Sequence, residues 1–194
     1  MDHLVRRLVG TVNDLGLSDR TVIIFTGDNG SASSGTLNGE PYPKGKGRQA
    51  DWGAHVPFIV RAPFLNKGGV VSRDLIYFTD LYPTFLDLAG IDPPKTLELD
   101  GKSFLSGLRG DEDPFKKRRW IYSQIGDFRM IRDWHHIVDS EESFHNLLKD
   151  PRQEQEISPL DKIAPGRRQR LQMILDRFPE NAPAPFPEFK IRHP

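Results

Sequence analysis

The apolar residues at the start of the chain first repeat with helical spacing and then form a continuous run that is typical of a buried strand. Residues 3–15 carry their apolar side chains on one stripe, which predicts a helix. The stripe comprises Leu4, Leu8, Val12 and Leu15. Residues 21–26 then form an almost uninterrupted apolar run, which is typical of a strand covered on both faces, as in a parallel sheet. This order of helix and strand favours an α/β fold.

A long polar segment separates this strand from the next apolar run, residues 56–61. It holds about 25–30 residues rich in Gly, Ser, Pro and Lys, and loops of that length are uncommon in compact domains unless they are functional or disordered. A functional loop and a bland flexible loop are equally compatible with its length.

The remaining pattern predicts two further regions. Before residue 119 we expect a strand over 69–78, a helix over 80–89 that ends at Gly90, and a short helix over 103–108. After it, four short runs predict a small antiparallel meander, followed by one packing helix. These runs are 120–124, 128–132, 135–138 and 144–147, and the helix is 163–178. The prolines after residue 179 predict an extended or disordered tail.

Charge and cysteine content exclude several classes of function. Lys and Arg together number 27 in the 194 residues, as do Asp and Glu, so the net charge is zero and no nucleic acid or membrane partner is expected. The absence of cysteine excludes disulfides, thiolate metal sites and a cysteine nucleophile. The first residues lack the apolar run of a signal peptide, and no stretch is long enough to predict a transmembrane helix. Because the sequence starts almost inside a helix, we expect it to be part of something larger.

Two candidate sites lie in and before the long loop. Asp28 and Asn29 directly follow the 21–26 strand, where ligands bind in α/β proteins, and their oxygens suit a hard cation such as calcium. A tight turn at Asn29-Gly30 is the competing interpretation. Lys46 lies between glycines that would let its ammonium approach an anion, although a solvated basic loop is the commoner case.

A set of motifs makes the interpretation specific. They are residues 26–30 (TGDNG), 46–47 (KG), 51–57 (DWGAHVP), 78–90 (FTDLYPTFLDLAG) and 144–151 (FHNLLKDP). In this order, the motifs resemble those of the type I sulfatase family, within the alkaline-phosphatase-like superfamily. The resemblance runs from about residue 4 to residue 158 and covers only the C-terminal portion of a sulfatase.

The resemblance implies a fold and a site. Residues 1–115 would be the C-terminal half of the sulfatase α/β domain, 116–178 a small antiparallel subdomain with a helix, and 179–194 the Pro-rich tail. Asp28 and Asn29 match calcium ligands, and Lys46 matches the lysine that contacts the sulfate ester. The substrate would be a small-molecule or carbohydrate sulfate ester, and the parent protein would be periplasmic or secreted.

The resemblance also implies what this sequence lacks. Sulfatases attack sulfur with a formylglycine made within a Cys/Ser-x-Pro-Ser/Ala-x-Arg motif, and no such motif occurs here. We therefore expect the chain alone to be inactive. Two alternatives stay open: a phosphodiesterase or phosphonate hydrolase of the same superfamily, and a non-catalytic anion-binding or interaction module derived from a sulfatase. Asn rather than His at position 29 favours sulfate.

Overall fold

The computed structural model of the chain describes residues 1–48, 50–111, 117–158 and 165–180. Contacts divide the chain into two compact units, Met1–Asp28 with Pro57–Arg118, and Asn29–Val56 with Arg119–Pro194. The long loop of 29–56 thus belongs to the same unit as the C-terminal part of the chain. The division expected from the sequence, into 1–115, 116–178 and 179–194, stays a prediction, and residues 181–194 of the expected tail lie outside the described residues.

The helices and strands are short and mixed along the chain. In chain order they are α1 (Asp2–Asp14), β1 (Ile23–Thr26), β2 (Gly35–Leu37), β3 (Glu40–Tyr42), α2 (Asp51–Ala54), β4 (Phe58–Arg61), α3 (Leu81–Ala89), α4 (Leu105–Arg109), β5 (Ile121–Ile125), β6 (Phe128–Arg132), β7 (His136–Asp139), β8 (Phe144–Asn146) and α5 (Pro165–Leu175). None of the helices in the described part of the chain combines the length and apolar character needed to cross a membrane.

The first unit packs α3 and α4 around a buried threonine. Thr84 is fully buried, its hydroxyl donates to the carbonyl oxygen of Asp80 at 2.6 Å, and the N–H of Phe104 donates to that hydroxyl at 3.1 Å. The Phe104 ring meets Phe58 of β4 edge to face, with ring centroids 5.5 Å apart. The hydrogen bonds of the Thr84 hydroxyl and the packing of the two phenylalanine rings together join α3, α4 and β4. The predicted helix over 80–89 is confirmed, including its end at Gly90, which adopts the left-handed conformation that glycine tolerates best.

Two expectations for the first unit are wrong. β1 pairs antiparallel with β4, and its residues are only half-buried, so it is not the fully covered parallel strand that its apolar run predicted. Residues 69–77 contain no regular strand. Gly68 and Gly69 both have positive φ angles, which extended strands do not use, and the Ser72 hydroxyl accepts the N–H of Asp74, a local bond that competes with sheet pairing.

The apolar stripe of α1 faces outward in this chain. No residue of α1 is buried, and Leu4 and Leu8 are 64% and 52% exposed. Leu4→Glu combined with Leu8→Lys should therefore leave the melting temperature nearly unchanged, because more than half of each leucine is already exposed and the new pair has the favourable helical spacing. The same double variant should reduce self-association measured by light scattering, since exposed apolar patches promote it. A clear drop in melting temperature would contradict the exposure of this stripe.

The second unit contains the predicted meander. Its four strands lie in the order β5-β6-β7-β8, and every neighbouring pair is antiparallel. Side chains alternate across β6, so Ile131 faces one side of the sheet, whereas Phe128 and Met130 face the other. The first side carries the main core, which α5 covers. That core comprises Ile131, Val138, Phe144, Leu171 and Leu175. The small antiparallel sheet with its helix is thus confirmed.

The long loop of the second unit is more ordered than its composition predicted. β2 and β3 form a hairpin across Asn38 and Gly39, and both turn residues have positive φ angles. Asn-Gly is the preferred sequence for such a turn. The Asn-Gly pair that makes a hairpin is therefore at 38–39, within a segment expected to lack secondary structure.

Candidate active site

The end of β1 presents the first two predicted site residues. Asp28 is exposed and Asn29 is half-buried, and the next residue, Gly30, is buried. The amide nitrogen of Asn29 donates to the carbonyl oxygen of Gly30 at 2.8 Å. This bond fixes which end of the Asn29 amide is the nitrogen, and the opposite end is an oxygen, the atom type that calcium binds.

Close backbone packing brings the Lys46 segment to the Asn29 segment. The N–H of Gly30 donates to the carbonyl oxygen of Gly53 at 2.9 Å, and the N–H groups of Gly45 and Lys46 both donate to the carbonyl oxygen of Ser31 at 2.9 Å. Lys46 therefore lies one hydrogen bond from a residue two positions after Asn29. Its side chain is exposed, so it is open to a ligand in solution.

Glycine is required at this junction because three backbone segments meet there. A Cβ atom added to Gly30 would lie 2.1 Å from the carbonyl oxygen of Trp52, and one added to Gly45 would lie 2.3 Å from the same oxygen. A Cβ on Gly53 would lie 2.2 Å from the carbonyl oxygen of Arg48. Such distances are far inside van der Waals contact, so any side chain would force the segments apart. Gly30 of the 26–30 motif and Gly53 of the 51–57 motif thus have a packing role.

Asp51 connects this junction to the C-terminal sheet. Its carboxylate pairs with the guanidinium of Arg132 at the end of β6 and lies 3.1 Å from Nδ1 of His55. Its backbone N–H donates to Oε1 of Gln153 at 2.7 Å. Burial by itself would raise the pKa of Asp51, but the hydrogen bond with His55 and the charge of Arg132 outweigh it and hold the pKa below its usual range.

The negative charge of Asp51 also affects the pKa of a residue in the β2–β3 hairpin. Burial, and then the negative charge of Asp51, raise the pKa of Tyr42 in β3.

Arg132 and Gln153 were not identified from the sequence, because they lie 81 and 102 positions from Asp51 and no local pattern links them.

The residues at the end of β1 fit a partial site for a hard cation. A carboxylate beside a carboxamide is the donor chemistry that calcium prefers, and calcium takes six to eight oxygens. Among the described residues, no group of three or more His, Asp or Glu could hold a metal ion. Asp28 and Asn29 could therefore contribute two of the oxygens that such a site needs.

Comparison with known proteins relates the chain to sulfatases. Residues 1–91 match the sulfatase family model. The chain is 34% identical over 130 residues to an ulvan-active sulfatase of Formosa agariphila, covering 62% of this chain and 23% of that protein. It is 35% identical over 113 residues to the N-acetylgalactosamine-6-sulfatase of Sus scrofa, covering 56% and 22%. The chain spans about a quarter of the length of these relatives.

Solved structures share the fold. BT4656, in complex with its substrate D-glucosamine-2-N,6-O-disulfate, superposes with a TM-score of 0.71 and 22% identity over 91% of this chain and 37% of that one. Ps i-CgsB, in complex with k-i-k-neocarrahexaose, gives 0.70 and 23% over 93% and 41%. The fold is thus the α/β, alkaline-phosphatase-like fold of sulfatases, with the small antiparallel sheet at its C-terminal side. Residues 1–91 match the sulfatase family model, and the chain is similar to the C-terminal portion of these sulfatase relatives.

Proposed function

We propose that this chain supplies the calcium-binding and sulfate-contacting part of a sulfatase active site. Asp28 and Asn29 would provide cation ligands, and the ammonium of Lys46 would hold the sulfate group. The observation that supports this proposal is the glycine-packed junction, in which Lys46 and Gly45 are hydrogen-bonded to Ser31, close to Asn29. The reaction of the full site would be hydrolysis of a sulfate ester to an alcohol and sulfate.

The chemistry explains why these residue types are needed together. A sulfate monoester is an anion, and its nonbridging oxygens carry charge that a cation and an ammonium can stabilise. When calcium is bound, it would supply the larger part of that stabilisation. Lys46 would orient the sulfate as a point charge with several donors. The sequence holds no formylglycine motif, so we expect no sulfatase turnover from these 194 residues alone.

We propose a carbohydrate sulfate ester as the substrate class. The relatives and neighbours named above include an ulvan-active sulfatase, an N-acetylgalactosamine-6-sulfatase and a protein bound to a disulfated glucosamine. The hairpin of β2 and β3 lies in the same loop as Lys46, and its Leu37 is exposed. An exposed apolar side chain in the same loop as Lys46 suits a ligand that has both a sugar ring and a sulfate.

Calorimetry with calcium and inorganic sulfate tests this function directly. Because the chain offers only part of a coordination shell, we expect weak calcium binding, with a dissociation constant on the order of 1 mM. Asp28→Ala and Asn29→Ala should abolish it. Lys46→Ala should weaken sulfate binding measured with calcium present by about tenfold, which is the loss of one charge-assisted hydrogen bond.

Matched variants control for general charge effects. Lys44→Ala removes another exposed lysine two positions from Lys46, and Asp19→Ala removes an exposed aspartate of the first unit. Neither should change binding. Equal losses from Lys44→Ala and Lys46→Ala would show that the loop attracts anions without a defined site. Tighter binding of inorganic phosphate than of sulfate would instead favour the phosphoester branch of the superfamily.

A further inference from the structure

The four-residue helix α2 cannot hold its own position. Helices this short are unstable in isolation, so α2 depends on tertiary contacts. Its first residue, Asp51, supplies them, with Arg132 bound to its carboxylate and Gln153 to its N–H. Both charged side chains are largely buried, at 14% exposure for Asp51 and 11% for Arg132. The pair is therefore shielded from solvent screening.

The backbone of α2 in turn fixes the two predicted ligand segments. The carbonyl oxygen of Gly53 accepts the N–H of Gly30, and the carbonyl of Trp52 lies against both Gly30 and Gly45. Gly30 follows Asn29, and Gly45 precedes Lys46. A continuous series of contacts thus runs from β6, through Asp51 and α2, to the residues on either side of the site.

We propose that Arg132 and Gln153 are positioning residues that act through Asp51 to hold Asn29 and Lys46 in their binding geometry. This inference rests on the proposed function for its ligand-binding consequence. It assigns the C-terminal sheet a role in the site although none of its residues is expected to touch calcium or sulfate. A buried ion pair is weak evidence for a stabilising role. A role in fixing one loop conformation would account for a buried ion pair at this position.

Arg129 offers a matched control for Arg132. Both arginines lie in β6, and both side chains are 11% exposed. The guanidinium of Arg129, however, donates to the carbonyl oxygen of Phe178 at 2.6 Å. Arg129→Met and Arg132→Met therefore remove the same buried charge from the same strand, but only the second removes a contact to Asp51.

Hydrogen exchange and ligand binding together test the proposal. In Arg132→Met, amide exchange at Gly30, Gly45 and Lys46 should rise by about tenfold or more, and calcium-dependent sulfate affinity should fall by a similar factor. Arg132→Lys keeps a donor for Asp51, so its loop exchange and its sulfate affinity should lie between those of Arg132→Met and those of the unchanged chain. Arg129→Met should raise exchange near α5 and leave the loop amides protected.

A second variant keeps the proposal testable if Arg132→Met fails to fold. Gln153 has a positive φ of 52°, a conformation in which asparagine is among the best tolerated residues. Gln153→Asn shortens the side chain by one methylene, so it should lose its bond to the Asp51 N–H without backbone strain. It should also raise loop exchange.

Each result supports or overturns the proposal. Unchanged loop exchange in both Arg132→Met and Gln153→Asn, or an equal rise in Arg129→Met, would overturn it. If the unchanged chain binds neither calcium nor sulfate, the proposed function fails, and the exchange measurements still decide whether Arg132 and Gln153 hold the loop.

Discussion

Replacing Asp80 by alanine is expected to lower the free energy of unfolding of the first unit by about 3–5 kcal/mol, the cost of removing one partner from a buried ion pair. The Asp80 side chain is 3% exposed, and its carboxylate pairs with the guanidinium of Arg118, which is 11% exposed. The same carboxylate accepts the N–H of Tyr77 at 2.8 Å and the N–H of Lys102 at 2.7 Å. Alanine would leave one buried charge and two donors without their acceptor.

Denaturant unfolding of the variant measures this cost, and two further variants interpret it. Asp80→Asn keeps an acceptor but not the charge, so it should destabilise less than alanine does. Asp2→Ala breaks the exposed pair with Arg6, in which Asp2 is 89% exposed, and it should change the free energy of unfolding by less than about 0.5 kcal/mol. If Asp80→Ala lowers the free energy of unfolding no more than Asp2→Ala does, the contacts of the Asp80 carboxylate do not stabilise the first unit as expected.

Asp80 also shows what sequence reasoning could and could not find. The apolar spacing of 80–89 and its final glycine predicted α3 closely. The Asp80 side chain makes no capping bond to α3 and instead joins Tyr77, Lys102 and Arg118. Local periodicity therefore located the helix, whereas partners 22 and 38 positions away could not be read from it.

The strands show the same difference between local and distant contacts. Four short runs predicted β5 to β8 as a meander, which is a local arrangement because each strand pairs with its neighbour in the chain. β1 pairs with β4, and the long 29–56 segment lies between them in the chain, so composition alone could not give their antiparallel direction. The run at 69–78 had strand-like composition, but Gly68, just before it, and Gly69, its first residue, have positive φ angles, and no strand forms.

At the candidate site, short motifs identified the ligand residues but not the backbone packing that holds their segments together. Asp28, Asn29 and Lys46 were found from the residue types that a cation and an anion require, and their roles stay predictions. The glycines between them looked like loop composition. In the structure, Gly30, Gly45 and Gly53 each occupy a place where another backbone segment leaves no room for a side chain. Close approach is a property of the folded backbone, so the sequence marks the glycines without saying what they contact.

Gly30→Ala is the sharpest test of that close approach. The new methyl group would lie 2.1 Å from the carbonyl oxygen of Trp52 and 3.0 Å from the Cα of Gly45. Both neighbours are backbone atoms that cannot rotate away, so the segments must separate, and the hydrogen bond from Gly30 to Gly53 should break. We expect a destabilisation of the second unit of about 3 kcal/mol, at the upper end of the usual cost of overpacking.

The matched control for Gly30→Ala lies in the same loop. Gly35 has no atom within 4 Å of an added Cβ and no positive φ angle, so Gly35→Ala should fold and bind like the unchanged chain. Denaturant unfolding monitored by hydrogen exchange separates the two, and calorimetry should show calcium and sulfate binding lost only in Gly30→Ala. If the two alanine variants behave alike, the three segments do not meet as the structure has them, and the Lys46 segment is not held beside Asn29.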